Sequence, residues 1–134
     1  MQDNGNDLSM GQFVVNFAVV LYDKNILMPP QDSPEWHLLF YGLQKACNGS
    51  SKPSCLEKLS FKWEKGSDYA KSQTLSKFLS EELYSTCLEQ KDWDAYSLKK
   101  GHYDLFSPRY EALDKNNKAW LAKAVELAED RFPK

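Results

Sequence analysis

The 134-residue sequence predicts an all-α fold, a compact irregular bundle of five or six helices with short connections. Apolar residues recur at helical spacing along most of the chain, and capping residues or prolines precede several of these runs. No segment alternates cleanly between apolar and polar residues, as a half-buried strand does. Since no linker or repeat divides the chain, we expect a single helical domain over residues 1–134, with a flexible N-terminal segment at residues 1–8.

The first helix is predicted by apolar residues that fall at i, i+3, i+4, i+7, i+8 and i+11 from Met10. Ser9 and Gln12 can form a capping box at its start. Three valines widen the apolar arc nearly all round, and because valine is β-branched they leave a strand interpretation open. A helix this apolar is either central or in an interface, so a homodimer through the apolar helix Phe13–Leu21 is one way to bury it.

The second helix begins at the clearest start signal in the chain, Asp32-Ser33-Pro34-Glu35, and ends before Asn48-Gly49. A third helix is predicted from the capping pair Ser54 and Glu57 as far as Gly66. A fourth, longer helix should begin near Ser67 or Asp68 and end near residues 91–92.

The last third of the chain is less regular. Residues 93–98 predict a short helix that Gly101 stops, and Ser107-Pro108 is a new helix start signal. A final helical face continues, after a break expected at Asn116-Asn117, until Pro133.

The composition excludes several classes of protein. A formal charge of −2, with 42% apolar and 13% aromatic residues, is unlike a disordered chain or a membrane span. Only two of the 17 basic residues are arginine, which argues against specific nucleic-acid binding. Residues 45–65 hold five lysines against two glutamates, and this basic segment could steer an acidic partner. A solvated helix face is the ordinary alternative.

The cysteines predict one bridge and one buried thiol. Cys47 and Cys55 bracket a turn-rich segment, and we expect a disulfide between them if that segment joins two helices. The alternative is that both are thiols in a reducing compartment. Cys87 falls on a predicted apolar helix face, where a buried thiol is expected.

The start of the chain bears on its compartment. Its polar, acidic residues lack the basic and apolar regions of a secretion signal. This fits a cytoplasmic protein or an exported domain without its leader. The cysteine-bracketed loop favours the exported, periplasmic interpretation.

The sequence lacks the common motifs of catalysis and cofactor binding. It contains no zinc-protease, serine-hydrolase, phosphate-loop, dinucleotide or calcium-loop pattern, so no catalytic residue, metal or cofactor is predicted. Of its two histidines, His37 is expected at the surface or rim of its helix. His102 is expected in a loop.

The feature that points to function is a dense group of aromatic residues in the aperiodic part of the chain. Polar-tipped aromatics mixed with charges are typical of protein-binding surfaces. Each aromatic taken alone could instead close one end of the core. The predicted partner-binding residues are Trp93, Tyr96, His102, Tyr103, Phe106, Arg109 and Tyr110.

The sequence therefore predicts a non-enzymatic protein-binding domain, an inhibitor or immunity-type protein or an adaptor, which occludes or docks a partner protein. Two alternatives stay open. One is a helical carrier of a small apolar ligand, with aromatic and methionine residues lining its cavity. The other is a small enzyme that uses scattered carboxylates and His102.

Overall fold

The computed structural model describes residues 8–47 and 51–133. In this part of the chain 58% of residues are helical and 11% lie in strands. The all-α prediction is therefore wrong. Besides six α-helices and one π-helix, the described residues form two small antiparallel sheets of two strands each. The predicted flexible segment 1–8 lies outside these residues except for Leu8, which is buried against the core.

The elements follow one another in a simple order, with each sheet formed by strands adjacent in sequence. The bounds are α1 Met10–Asp23, α2 Pro34–Lys45, α3 Ser54–Glu57, β1 Lys62–Trp63, β2 Ala70–Lys71, α4 Gln73–Phe78, a π-helix Leu79–Tyr84, β3 Leu88–Asp92, β4 Ala95–Leu98, α5 Lys100–Glu111 and α6 Lys115–Arg131.

Helix α1 lies at the centre of the fold. The predicted capping box is present, since the Ser9 hydroxyl accepts from the Gln12 backbone N–H and the Gln12 side chain accepts from the Ser9 N–H. The π-helix, β4, α5 and α6 pack around α1 and bury its apolar residues. The chain itself thus covers this helix without a second copy. A homodimer stays a prediction that light scattering can test.

Helix α2 forms as predicted. Pro34 opens it, and the Ser33 hydroxyl accepts from the Glu35 N–H at 3.2 Å. Its aromatic residues Trp36 and Phe40 contact Phe17 edge-on, with ring centroids 6.0 Å apart in both pairs. Phe132, at the end of α6, meets Trp36 at 4.9 Å, so the core links three helices through rings.

The predicted third helix is much shorter than expected. It ends at Glu57, and Pro53 rather than Ser54 stands at its N-cap without a side-chain hydrogen bond. Strand β1 follows and pairs antiparallel with β2, with Lys62 opposite Lys71. Gly66 adopts a φ of +83° in the intervening turn, a conformation that favours glycine.

The predicted fourth helix is shorter than expected at both ends and changes its geometry in the middle. It begins only at Gln73, changes to a π-helix at Leu79 and ends at Tyr84. Residues 93–98, predicted as a short helix, form the turn and second strand of the β3–β4 hairpin. Tyr96 exchanges backbone hydrogen bonds with Met28 at 2.7 and 2.8 Å, and this long-range pairing favours a strand that local periodicity does not reveal.

Helix α5 contains two residues that the sequence predicts to be a helix stop and a helix start. Gly101 lies in its first turn instead of stopping a helix, and Pro108 lies in its last turn instead of starting one. The break before α6 falls at residues 112–114, because the Asp114 carboxylate accepts from the Asn117 N–H at 3.1 Å and caps the helix. None of the helices in the described residues has the length and apolar character needed to cross a membrane.

Candidate functional site

The most exposed large apolar side chain in the described part of the chain belongs to Trp93, at 87%. Trp93 and Asp94 form the two-residue turn between β3 and β4. We call Asp92, Trp93 and Asp94 the hairpin tip. Tryptophan is enriched at the energetic centres of protein interfaces, so this exposed indole is a candidate contact for a partner.

Side-chain hydrogen bonds hold the hairpin tip in one conformation. The Gln90 Nε2 donates to the carbonyl oxygens of Asp92 and Trp93, both at 2.9 Å, and the Asp92 Oδ1 accepts from the Trp93 N–H at 2.7 Å. The register shifts between Gln90 and Asp92, which is typical of a β-bulge that re-aims a side chain. The exposed indole is therefore carried on a turn with three side-chain to backbone hydrogen bonds.

The hairpin is anchored to the core at its base and acidic at its tip. Tyr96 packs edge-on against Tyr84, with ring centroids 5.5 Å apart. Glu89 and Lys91 form an ion pair at 3.1 Å, so their charges offset each other. Asp92 and Asp94 have no such partner among the described residues and leave the tip with two negative charges around one indole.

A second feature is an open cleft of about 480 Å³ between α1, the π-helix and α5. We call it the α1–α5 cleft. Its volume falls within the range of small-molecule and peptide sites. The residues that line it are Leu8, Gly11, Gln12, Val15, Asn16, Glu81, Glu82, Thr86, Cys87, His102, Leu105, Phe106, Arg109 and Leu113.

The two walls of the cleft carry opposite charges. On α5, the Arg109 guanidinium lies 5.4 Å from the centroid of the Phe106 ring, and His102 lies 6.1 Å from the same ring. On the π-helix, Glu81 and Glu82 line the opposite wall. Within residues 8–47 and 51–133, no ion pair engages Arg109 or either glutamate. These charges are therefore open to a ligand.

The floor of the cleft, on α1, contains a glycine and an unsatisfied amide. A Cβ at Gly11 would meet the Glu82 side chain at 3.1 Å, so the glutamate lies against the glycine. Asn16 is only 7% exposed, and its Nδ2 donates to the Gln12 carbonyl at 2.8 Å. The Asn16 Oδ1 is buried without a hydrogen-bond partner among the described residues. A buried acceptor without a partner lowers the free energy of unfolding.

The seven predicted partner-binding residues are divided by the structure into three groups. Trp93 stands alone at the hairpin tip, while His102, Phe106 and Arg109 line the cleft together. Tyr96 and Tyr103 pack on the fold: Tyr103 stacks on Tyr22 at 4.2 Å, and its hydroxyl hydrogen-bonds the Asp23 carboxylate. Tyr110 belongs to this third group: it packs against the core, and the Lys118 ammonium lies 5.5 Å from its ring centroid.

His37 is not at the surface, as the sequence suggested, but 2% exposed. The Ser72 N–H donates to its Nδ1 at 3.1 Å, and Ser76 Oγ lies 3.4 Å from its Nε2. Burial, and next the nearby Lys71 charge, lower the pKa of His37 to about 4. The neutral ring therefore joins α2 to the start of α4, and we assign it a structural role.

The expected disulfide between Cys47 and Cys55 is not formed in the structure. Cys47 is exposed whereas Cys55 is buried. Cys87 is buried as predicted, although in a turn rather than on a helix, and its Sγ donates to the Glu82 carbonyl at 3.3 Å. In the described residues, no group of three or more histidine, cysteine or acidic side chains is arranged to hold a metal.

Several cleft residues were not singled out by the sequence, namely Gly11, Asn16, Glu81, Glu82 and Leu105. One signal was present: residues 102, 105, 106, 109 and 113 follow the i, i+3, i+4, i+7 and i+11 spacing of a helix face. The apparent stop at Gly101 and start at Pro108 hid this stripe. The α1 and π-helix residues meet it only through tertiary packing.

Comparisons of the chain with protein-family models, curated protein sequences and solved structures give no match. The function must therefore be argued from the hairpin tip and the cleft themselves.

Proposed function

We propose that this chain is a non-enzymatic protein-binding domain of the inhibitor, immunity or adaptor type, which docks a partner protein through its β3–β4 hairpin. The observation that carries the proposal is Trp93, an indole 87% exposed on a turn that three side-chain to backbone hydrogen bonds hold. Tryptophan is among the residues most enriched at the energetic centres of protein interfaces.

The energetics favour Trp93 as an anchor. An aromatic side chain of this type buries roughly 150–250 Å². At about 25 cal/mol per Å², that area corresponds to roughly 4–6 kcal/mol of transfer free energy. Binding normally loses part of such a gain to the ordering of loops, and the three hydrogen bonds of this turn reduce that loss. More of the transfer free energy of the indole therefore contributes to the binding free energy.

The charges around Trp93 indicate the kind of surface it fits. Asp92 and Asp94 flank the indole, and neither is neutralised by a described lysine or arginine. We therefore expect a partner pocket with an apolar floor and a cationic rim, which would also accelerate association. The basic segment 45–65 is a second, separate charge feature. Its Lys52 is already engaged by the Gln44 carbonyl and the Trp120 ring.

The two alternatives have less support. A carrier of an apolar ligand needs an enclosed apolar cavity, whereas the α1–α5 cleft is open and partly charged. An enzyme built on His102 needs an orienting or reacting group within hydrogen-bond reach. In the described part of the chain, no hydrogen bond joins His102 to a carboxylate or to Cys87.

Site-specific photo-crosslinking tests the proposal. The change Trp93→p-benzoylphenylalanine places a crosslinker at the hairpin tip, and Trp63→p-benzoylphenylalanine places one at the other exposed tryptophan, 63% exposed in β1. We expect a single crosslinked species from an extract of the native source with the position-93 variant only. Equal crosslinking from both positions, or none from position 93, would contradict the proposal.

A further inference from the structure

We propose that the α1–α5 cleft is a peptide site, which takes an extended segment of the partner that places an apolar side chain between one acidic and one basic residue. This inference rests on the proposed protein-binding function but uses a surface distinct from the hairpin tip. It names the chemistry that the partner must present there.

The polar groups of the cleft are a mixed set of donors and acceptors. Arg109, His102 and the Gln12 amide can donate, while Glu81, Glu82 and the Asn16 Oδ1 can accept. A peptide backbone offers both N–H donors and carbonyl acceptors in every residue.

The middle of the cleft is apolar. On α5, Leu105 and Phe106 stand between His102 and Arg109 in sequence, and Val15 faces them from α1. Leu105 is 54% exposed, so the described chain leaves much of its side chain uncovered. An apolar side chain of a bound segment would contact these residues and remove them from water.

Opposite charges face each other at one end of the cleft. Tyr103, at the start of α5, hydrogen-bonds Asp23 at the end of α1, so the two helices run antiparallel. Arg109 therefore lies towards the Gly11 end of α1, where Glu82 also lies. A segment with one acidic and one basic side chain complements this pair, whereas a segment of one sign meets repulsion from one wall.

The buried Asn16 Oδ1 is an independent sign of a missing hydrogen-bond donor. Its side chain lines the cleft, and its oxygen has no partner among the described residues. Buried polar atoms of native proteins are nearly always paired, and an exception calls for an explanation. The proposed peptide supplies this donor from a backbone N–H once the Asn16 amide turns its oxygen towards the cleft.

The wall that carries Glu81 and Glu82 is itself unusual. Leu79–Tyr84 is a six-residue π-helix, a conformation that is rare and is frequently found at functional sites. It continues α4 directly and turns both carboxylates towards the cleft. A π-helix here is thus consistent with a binding wall.

Selection from a random seven-residue peptide library displayed on phage tests the proposal with the full chain. We expect the native chain to enrich peptides that hold an apolar residue between an acidic and a basic one. Arg109→Glu should lose the acidic residue from the enriched set and select basic peptides. Glu82→Lys should do the reverse, and the double variant should again select both signs. Lys115→Glu, on the exposed start of α6, is the matched charge control and should select as the native chain does.

A native chain that enriches no peptides, or variants that all enrich the same sequences, would overturn the peptide site. Circular dichroism on each variant separates this result from unfolding. We expect all variants to fold, because Arg109 and Glu82 are both exposed. Failure of the peptide site leaves crosslinking at position 93 intact, so it is distinguishable from failure of the protein-binding function itself.

Discussion

The Ser72 N–H donates a hydrogen bond of 3.1 Å to the Nδ1 of His37, and both residues are buried. The bond requires an unprotonated Nδ1, so the ring carries its proton on Nε2, which faces the Ser76 hydroxyl at 3.4 Å. Ser72 also caps α4 through its own hydroxyl, which accepts from the Leu75 N–H at 3.2 Å. The neutral imidazole thus positions the start of α4, which leads into the π-helix.

The burial of a neutral His37 predicts that the fold loses stability in acid. The pKa of His37 is lowered to about 4 in the fold and is about 6.5 in an unfolded chain. Between these values the unfolded state binds more protons, so the free energy of unfolding falls as the pH falls from 6.5 to 4. We expect this histidine to account for about 2 to 3 kcal/mol of that loss, since one pKa unit corresponds to about 1.4 kcal/mol.

Urea unfolding at several pH values checks this prediction with two variants. His37→Gln removes the titration and should flatten the decline between pH 6.5 and pH 4. His102→Gln, at the only other histidine of the chain, is the matched control for the loss of an imidazole away from the Ser72 contact. Parallel slopes in all three proteins would contradict the assignment.

A buried hydrogen-bond chain predicts a stability loss at Tyr84. Its hydroxyl accepts from the Trp36 Nε1 at 2.9 Å and donates to the Pro29 carbonyl. Burial is the main cause that raises the pKa of Tyr84. Tyr84→Phe leaves both partners unpaired and should lower the free energy of unfolding by about 2 kcal/mol. In Tyr110→Phe, the hydroxyl removed has no hydrogen-bond partner among the described residues, and little change is expected. A Tyr84→Phe protein as stable as the native one would count against this chain.

The unpaired amide oxygen of Asn16 predicts that a substitution there raises stability but weakens peptide binding. Asn16→Leu removes a buried acceptor without a partner and introduces a better helix former. We expect the free energy of unfolding to rise by about 1 kcal/mol while affinity for cleft-selected peptides falls. Asn16→Asp should destabilise the chain instead, because it buries a charge and loses the donor to Gln12. If the Asn16→Leu protein were more stable but bound the peptides with native affinity, Asn16 would not belong to the peptide site.

The different exposure of the three cysteines predicts a distinct reactivity pattern. A thiol reagent should modify Cys47 rapidly in the native chain, because it is exposed, and reach Cys55 and Cys87 only slowly, because they are buried. Under denaturing conditions all three should react. Only one reactive thiol in the unfolded, unreduced chain would instead establish a disulfide, with Cys47 and Cys55 as its expected partners.

Local signals predicted the parts of the fold that depend on local interactions. Helices α1 and α2 form with the caps that the sequence indicates at Ser9 and Ser33. The strands depend on distant partners: β4 pairs with Met28 as well as with β3, and β1 and β2 are only two residues long. Two-residue strands carry no period that a sequence can display.

The candidate site divides in the same way. The aromatic stretch contains Trp93 and residues of the α5 wall of the cleft, because an aperiodic group of aromatics is visible in sequence. It also contained Tyr96 and Tyr103, which pack on the fold. Glu82 and Asn16 are distant from this stretch in sequence, and only the packing of α1 against the π-helix and α5 brings them to the cleft.

The central claim is that Trp93 anchors a partner protein, and calorimetric titration of the crosslinked partner, once identified, tests it most directly. Trp93→Ala should weaken binding about 30-fold, or about 2 kcal/mol, as expected for an interface hot spot. It should leave the free energy of unfolding unchanged, because the indole is almost fully exposed. Trp63→Ala should bind within about twofold of the native chain. Native affinity in the Trp93→Ala protein would contradict the account.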